Sequence, residues 1–249
     1  GRVSAGGVVP AVSKAGVLEE VAEREEEAEA PAAAPDDPAS VDYHMQRIVA
    51  AIADGRNISE KQGDHYQAEA RRILQSIHDV APDALKALAE KNYVFYADID
   101  ALTAVARTVK LKSCETLKNG MIAGLYIAKT NTLHLDGNEE GTPGPLTGEH
   151  YAHEMAHAID PEQDGYSAAP AWIKAWESEL KDGQLYEGTA IHNNAGRSAR
   201  EGFAEFFRLV TAGFSKKGPI TLAQLQDRYP KAIAHFQEQK QYTTKLEQK

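Results

Sequence analysis

The chain has 249 residues, is 42% hydrophobic and carries a formal net charge of −10 at pH 7, enough length and apolar content for one large domain or two small ones. Residues 1–40 hold nine acids against three bases, a net of −6, so only −4 is spread over the rest. That near-balance offers no phosphate-binding surface, which argues against nucleic acid as a partner, and no apolar run reaches the length of a membrane span.

Taken in order, residues 1–40 are mostly Ala, Glu, Pro and Gly, with almost no large apolar side chains. They cannot bury enough surface to offset the entropy of ordering, so a disordered acidic tail is expected there. The first residue is Gly1 rather than Met, so any signal peptide would already be missing. From Val41 the pattern changes. Met45, Ile48, Val49 and Ile52 recur at helical spacing up to Gly55. Ser59 can cap a second helix with Tyr66, Ala70, Ile73, Leu74 and Ile77 on one face, and Pro82 starts a third carrying Leu85, Leu88 and Ala89. Residues 41–110 are therefore expected to form a helical N-terminal subdomain, and residues 111–249 a catalytic region.

Residues 93–96 have strand composition and precede a helix over about 100–109 with Leu102, Val105 and Ala106. Cys114 is the only cysteine, so there is no intrachain disulfide and no cysteine-based zinc cluster, and it reads as a small buried apolar residue. Two strand-like runs, 121–128 and 132–135, flank the polar Lys129-Thr130-Asn131 and predict a β-hairpin. A Gly/Pro-rich loop, 137–146, then leads to the most informative segment of the chain.

That segment is His153-Glu154-Met155-Ala156-His157, an H-E-x-x-H pattern. On a helix the two histidines stack one turn apart on one face, a spacing that lets both imidazoles bind a single zinc ion. Glu154 beside them can take a proton from water. Thr147 offers a cap, Ala152, Met155, Ala156 and Ile159 an apolar side, and Asp160-Pro161 a stop. His150 falls one turn before His153 and reads as an exposed helix-start residue, with substrate contact as its alternative. Asp160 can cap the helix or orient a histidine.

Beyond it, Trp172, Ala175, Trp176 and Leu180 make an apolar helical stripe, and both tryptophans are read as core. A polar loop leads to Ser198, which can cap a helix running through Glu201, Phe203, Phe206, Phe207, Leu209 and Val210. Two short helices, about 222–229 and 231–239, complete the chain.

A catalytic zinc takes three protein ligands and leaves a position open. A third histidine six residues past His157 is absent, because position 163 is Gln. The candidates are therefore later glutamates. Glu177, with Glu179 close by, sits in a charge-rich stretch that resembles a solvated face. Glu201 and Glu205 lie amid aromatics, where a buried carboxylate needs a metal or a partner. Gly202 would let that helix approach its neighbour closely. The reading favours Glu201 as ligand over Glu177, with Glu205 one turn later free to hold a histidine N–H.

These two segments, His153 to Asp160 and Glu201-Gly202-Phe203-Ala204-Glu205-Phe206-Phe207, resemble the catalytic domain of anthrax toxin lethal factor and the related Pro-Pro endopeptidases. The resemblance covers about residues 120–240. It implies a gluzincin-type zinc endopeptidase with His153, His157 and Glu201 as zinc ligands, Glu154 as general base and Glu205 as a carboxylate behind the histidines. It also implies an extended protein or peptide substrate along the 124–135 hairpin edge, and a secreted location. The family has a tyrosine seven residues before the ligand glutamate to steady the oxyanion; here that position is Asn194. Asn194 itself, Tyr186, His192 and Arg197 are the available donors in that loop.

The expected fold is α+β and predominantly helical, with a sheet of three or four strands and the two motif helices packed behind it. The expected molecule is a monomeric zinc-dependent endopeptidase. The alternatives are a catalytically silent or latent zinc-binding domain and a zinc amidohydrolase acting on a non-peptide substrate.

Overall fold

Local capping chemistry sets the helix starts. The computed structural model describes residues 36–108, 124–136, 146–160, 165–181, 195–212, 214–215, 218–219 and 221–238. Helix α1 (Val41–Ala53) begins at Ser40, whose hydroxyl accepts the Tyr43 N–H, and it buries Met45, Ile48 and Ile52. Val49 lies off that stripe and is 41% exposed. Helix α2 (Glu60–Val80) opens on a capping box in which Ser59 and Gln62 each satisfy the other's backbone N–H, two orphan donors met at once. Its stripe of Tyr66, Ala70, Ile73, Leu74 and Ile77 is buried. Helix α3 (Pro82–Lys86) starts on its proline.

Strand β1 (Asn92–Tyr96) and helix α4 (Ile99–Thr108) follow, then β2 (Gly124–Ile127) and β3 (Thr132–Asp136). A 3-10 turn over Ala128–Thr130 joins the hairpin and ends on Asn131 at φ 55°. Asparagine adopts this left-handed geometry at low cost. The hairpin is as expected, but its place in the sheet is not local information. The order is β1-β3-β2, with β1 parallel and β2 antiparallel to β3. The second hairpin strand is thus interior, and among the described residues β2 is the hairpin strand at the sheet edge.

Alternation puts Tyr93, Phe95, Leu133 and Leu135 on one buried face. Phe95 stacks on Tyr66 of α2 at 6.0 Å and meets Tyr151 edge-on at 6.0 Å. Tyr151 belongs to α5 (Leu146–Ile159), which lies between the sheet and α7 (Ala199–Ala212). Between them in sequence, α6 (Pro170–Ala175) runs on into a π turn, Trp176–Leu180. Trp172 is fully buried among Phe203, Phe206 and Phe236. Two-residue strands β4 (Phe214–Ser215) and β5 (Gly218–Pro219) pair antiparallel. Helices α8 (Leu222–Arg228) and α9 (Pro230–Glu238) follow, and Glu179 accepts the Lys231 and Ala232 N–H groups at the start of α9.

The result is a predominantly helical α+β fold with a small three-stranded mixed sheet. Among the described residues, no helix is long and apolar enough to cross a membrane.

Candidate metal centre

Helix α5 is covered on both sides, so its polar residues cannot all reach water. Tyr151, Ala152, Met155 and Ala156 are fully buried, and His153, Glu154 and His157 are each only 9% exposed. Polar groups in such a position need partners. Helix α7 supplies them. Its first turn is capped by Ser198, whose hydroxyl accepts the Glu201 N–H at 3.1 Å. Gly202 is where the indole of Trp176 comes in: an added Cβ would lie 2.5 Å from Trp176 Cδ1. The same indole donates to Ala195 O at 2.8 Å, and Trp172 donates to Ala199 O at 2.7 Å. The two tryptophans therefore tie α6 and its π turn to the start of α7. Trp172 is core as expected, while Trp176 is partly exposed and packs against that core.

Three side chains converge between the helices. His153 Nε2 and His157 Nε2 are 3.1 Å apart; Glu201 Oε2 lies 3.5 Å from the first, and its Oε1 3.5 Å from the second. Two atoms bound to a tetrahedral zinc at about 2.0–2.1 Å are separated by roughly 3.3 Å. The observed spacings straddle that value, and among the described residues this is the one such group able to hold a metal ion. Two imidazoles and a carboxylate form a donor set that could hold a divalent metal ion.

Behind these three side chains lies a buried chain of charges. Glu205 is fully buried, with Oε1 2.9 Å from His153 Nδ1 and Oε2 accepting from Arg208 Nε at 3.1 Å. The histidine contact is short but bent away from ideal hydrogen-bond geometry, so it acts chiefly through charge. It leaves His153 Nε2 directed at the Glu201 side.

The electrostatics point the same way. Burial by itself would lower His153, but the Glu205 charge, contacts with Glu201 and Glu205, and the Glu154 charge hold its pKa up at about 10. Burial opposes ionisation of Glu201, yet the hydrogen bonds and charges of His153 and His157 hold it well below the usual carboxylate range. Burial pushes the Glu154 carboxyl up, against the pull of His153, His157 and the Tyr126 N–H. An imidazole kept protonated by surrounding carboxylates marks a place that demands positive charge. A divalent cation held by the two histidines and Glu201 would meet that demand.

His150 is partly buried rather than open to solvent, and burial, His153 and Arg208 lower its pKa to about 4. Asp160 is buried and accepts the Ser167 N–H at 3.1 Å. Glu177 is exposed on the π turn, outside the metal-binding group. Arg197 is exposed; Tyr186, His192, Asn194 and Cys114 lie outside the described residues. Sequence reasoning missed Arg208 and Gly124. A charged residue inside the Phe206-Phe207-Arg208-Leu209 run was a signal for the first. A glycine inside a strand, which often marks a close approach, was a signal for the second.

No family model matches this chain, and no curated protein matches it. Among solved structures it is similar to the Pro-Pro endopeptidase PPEP-2 from Paenibacillus alvei, at 17% identity and a TM-score of 0.45, over 67% of this chain and 88% of that one.

Proposed function

We propose that this chain is a zinc-dependent endopeptidase, with His153, His157 and Glu201 holding the metal and Glu154 acting as general base. The observation that carries this reading is the meeting of two histidine nitrogens and a Glu201 oxygen, all within 4.8 Å of one another, beside the buried Glu154 carboxylate. When bound, zinc lowers the pKa of water and polarises a carbonyl oxygen. Glu154 takes up the water's proton at its carboxylate and hands it to the leaving amine. Glu205 holds the His153 ring by its Nδ1 side, leaving Nε2 for the metal.

The substrate would be a protein or peptide lying extended along the free edge of β2, where backbone pairing recognises an extended chain independently of its side chains. The donor that steadies the negative charge developing on the carbonyl oxygen is to be sought among Tyr186, His192, Asn194 and Arg197, in the segment leading to α7.

Elemental analysis of purified wild type and Glu201→Ala, run beside a mixed peptide-library digest, tests the reading. The expected result is about one zinc per chain in wild type, lost in the variant, with cleavage abolished by a chelator. Zinc without cleavage would move the reading to a latent or silent zinc-binding domain. Zinc with hydrolysis of a non-peptide amide alone would make it an amidohydrolase.

A further inference from the structure

The strand beside the candidate metal centre does more than offer an edge. Strand β2 pairs antiparallel with β3, and the Tyr126 N–H donates to Glu154. Gly124 lies two residues earlier, opposite Leu135, so alternation puts it on the same face of the sheet as Tyr126 and toward α5. A Cβ on Gly124 would stand 2.5 Å from Glu154 Cγ, 3.0 Å from its Oε1 and 3.1 Å from its Cδ. Real side chains do not approach so closely. Glu154 can keep its bond to the strand only if position 124 has no side chain.

We propose that Gly124 is a positioning residue: its missing side chain lets the β2 backbone clamp Glu154, a role that rests on Glu154 being the general base proposed above. The Tyr126 N–H takes one site on the carboxylate and fixes its orientation, leaving the remaining lone pairs for the proton that moves. The clamp is rigid because β2 is pinned at its far end. Tyr126 Oη donates to Asn131 Oδ1 at 3.0 Å, Lys91 Nζ donates to the same oxygen at 2.7 Å, and Asn131 Nδ2 donates to Glu90 O at 3.0 Å. One consequence concerns the substrate. With its N–H committed to Glu154, Tyr126 cannot donate to a peptide on the β2 edge, so from that residue only the carbonyl is left to pair, as an acceptor.

The test is amide hydrogen exchange at Tyr126, read by NMR on the full chain, together with zinc content and cleavage kinetics. In wild type the Tyr126 amide should be protected although it faces a strand edge. Gly124→Ala should speed its exchange by about tenfold or more and leave zinc content unchanged. The same variant should lower kcat by about tenfold or more, with KM within about twofold of wild type. A Tyr126 amide still protected in Gly124→Ala, or an unchanged kcat, overturns the proposal. Should Gly124→Ala fail to fold, Glu154→Ala carries the test. Removing the carboxylate must expose the same amide, and continued protection overturns the clamp. The exchange comparison needs no turnover. A wild type that cleaves no peptide would therefore remove the peptidase reading while the clamp is judged separately.

Discussion

At the scale of single residues, the candidate site is a balance of buried charges. Glu205 faces His153 on one side and Arg208 on the other, all of them at or near complete burial. Breaking such a chain leaves a charge without compensation. Arg208→Met should therefore destabilise the fold by about 3–5 kcal/mol, measured by urea unfolding. Glu205→Gln keeps the shape but removes the charge behind His153. Zinc affinity should fall by about 10–100-fold, read by competition with a chromogenic chelator. Glu154→Gln should behave differently, keeping its zinc and losing cleavage, because the residue stands outside the ligand group. Glu177→Ala should alter neither zinc content nor cleavage, as expected of an exposed side chain.

At the scale of elements, the position of α7 decides where Glu201 points. Its first turn is held by the Ser198 cap, and its side by the indole that lies against Gly202. The π turn contributes here. Lys181 N bonds Trp176 O at 2.8 Å, five residues back, a widened turn that follows the residue reaching Ala195. Gly202→Ala would push a methyl into this packing. A loss of about 1–3 kcal/mol is expected, with weaker zinc binding in the same protein because Glu201 moves with its helix. Trp172→Ala removes the centre of the aromatic cluster and should cost about 3–5 kcal/mol, seen as a lowered unfolding midpoint.

At the scale of the whole molecule, folding buries titratable groups that acid will recharge. His44, His134, His150 and His235 all have pKa values lowered from 6.5, each with burial as the leading cause. In the unfolded chain these imidazoles bind protons below 6.5; in the folded chain they bind fewer, so stability is lost as pH falls from 6.5. Glu154 runs the other way, since its raised pKa makes the folded chain bind more protons above 4.5. The His153 contribution is already complete below 6.5, and that of Glu201 is lost only below 4.5. The window from 6.5 to 4.5 therefore sets four histidines against one carboxyl, and the unfolding temperature in chelator should drop across it. His235→Leu should flatten that slope. Its ring nitrogens are buried with no hydrogen-bond partner among the described residues, so charging it gains no compensating bond.

By itself the sequence determined whatever depends on neighbours within a turn or two. The caps at Ser59 and Ser198 were readable because a hydroxyl reaches an N–H three residues on. The stacking of His153 over His157 follows from the helical repeat, and the preference for Glu201 over Glu177 from acids set among phenylalanines. Tertiary structure alone decided what distant segments do to one another. Nothing in residues 92–96 says that they pair parallel with 132–136, and so nothing local says that, among the described residues, β2 lies at the sheet edge. The spacing between Glu201 and the two histidines, the link from His153 through Glu205 to Arg208, and the contact of Gly124 with Glu154 join residues as many as 52 positions apart. Such contacts are selected by the packing of whole faces, and no short stretch of chain contains both of the groups that meet.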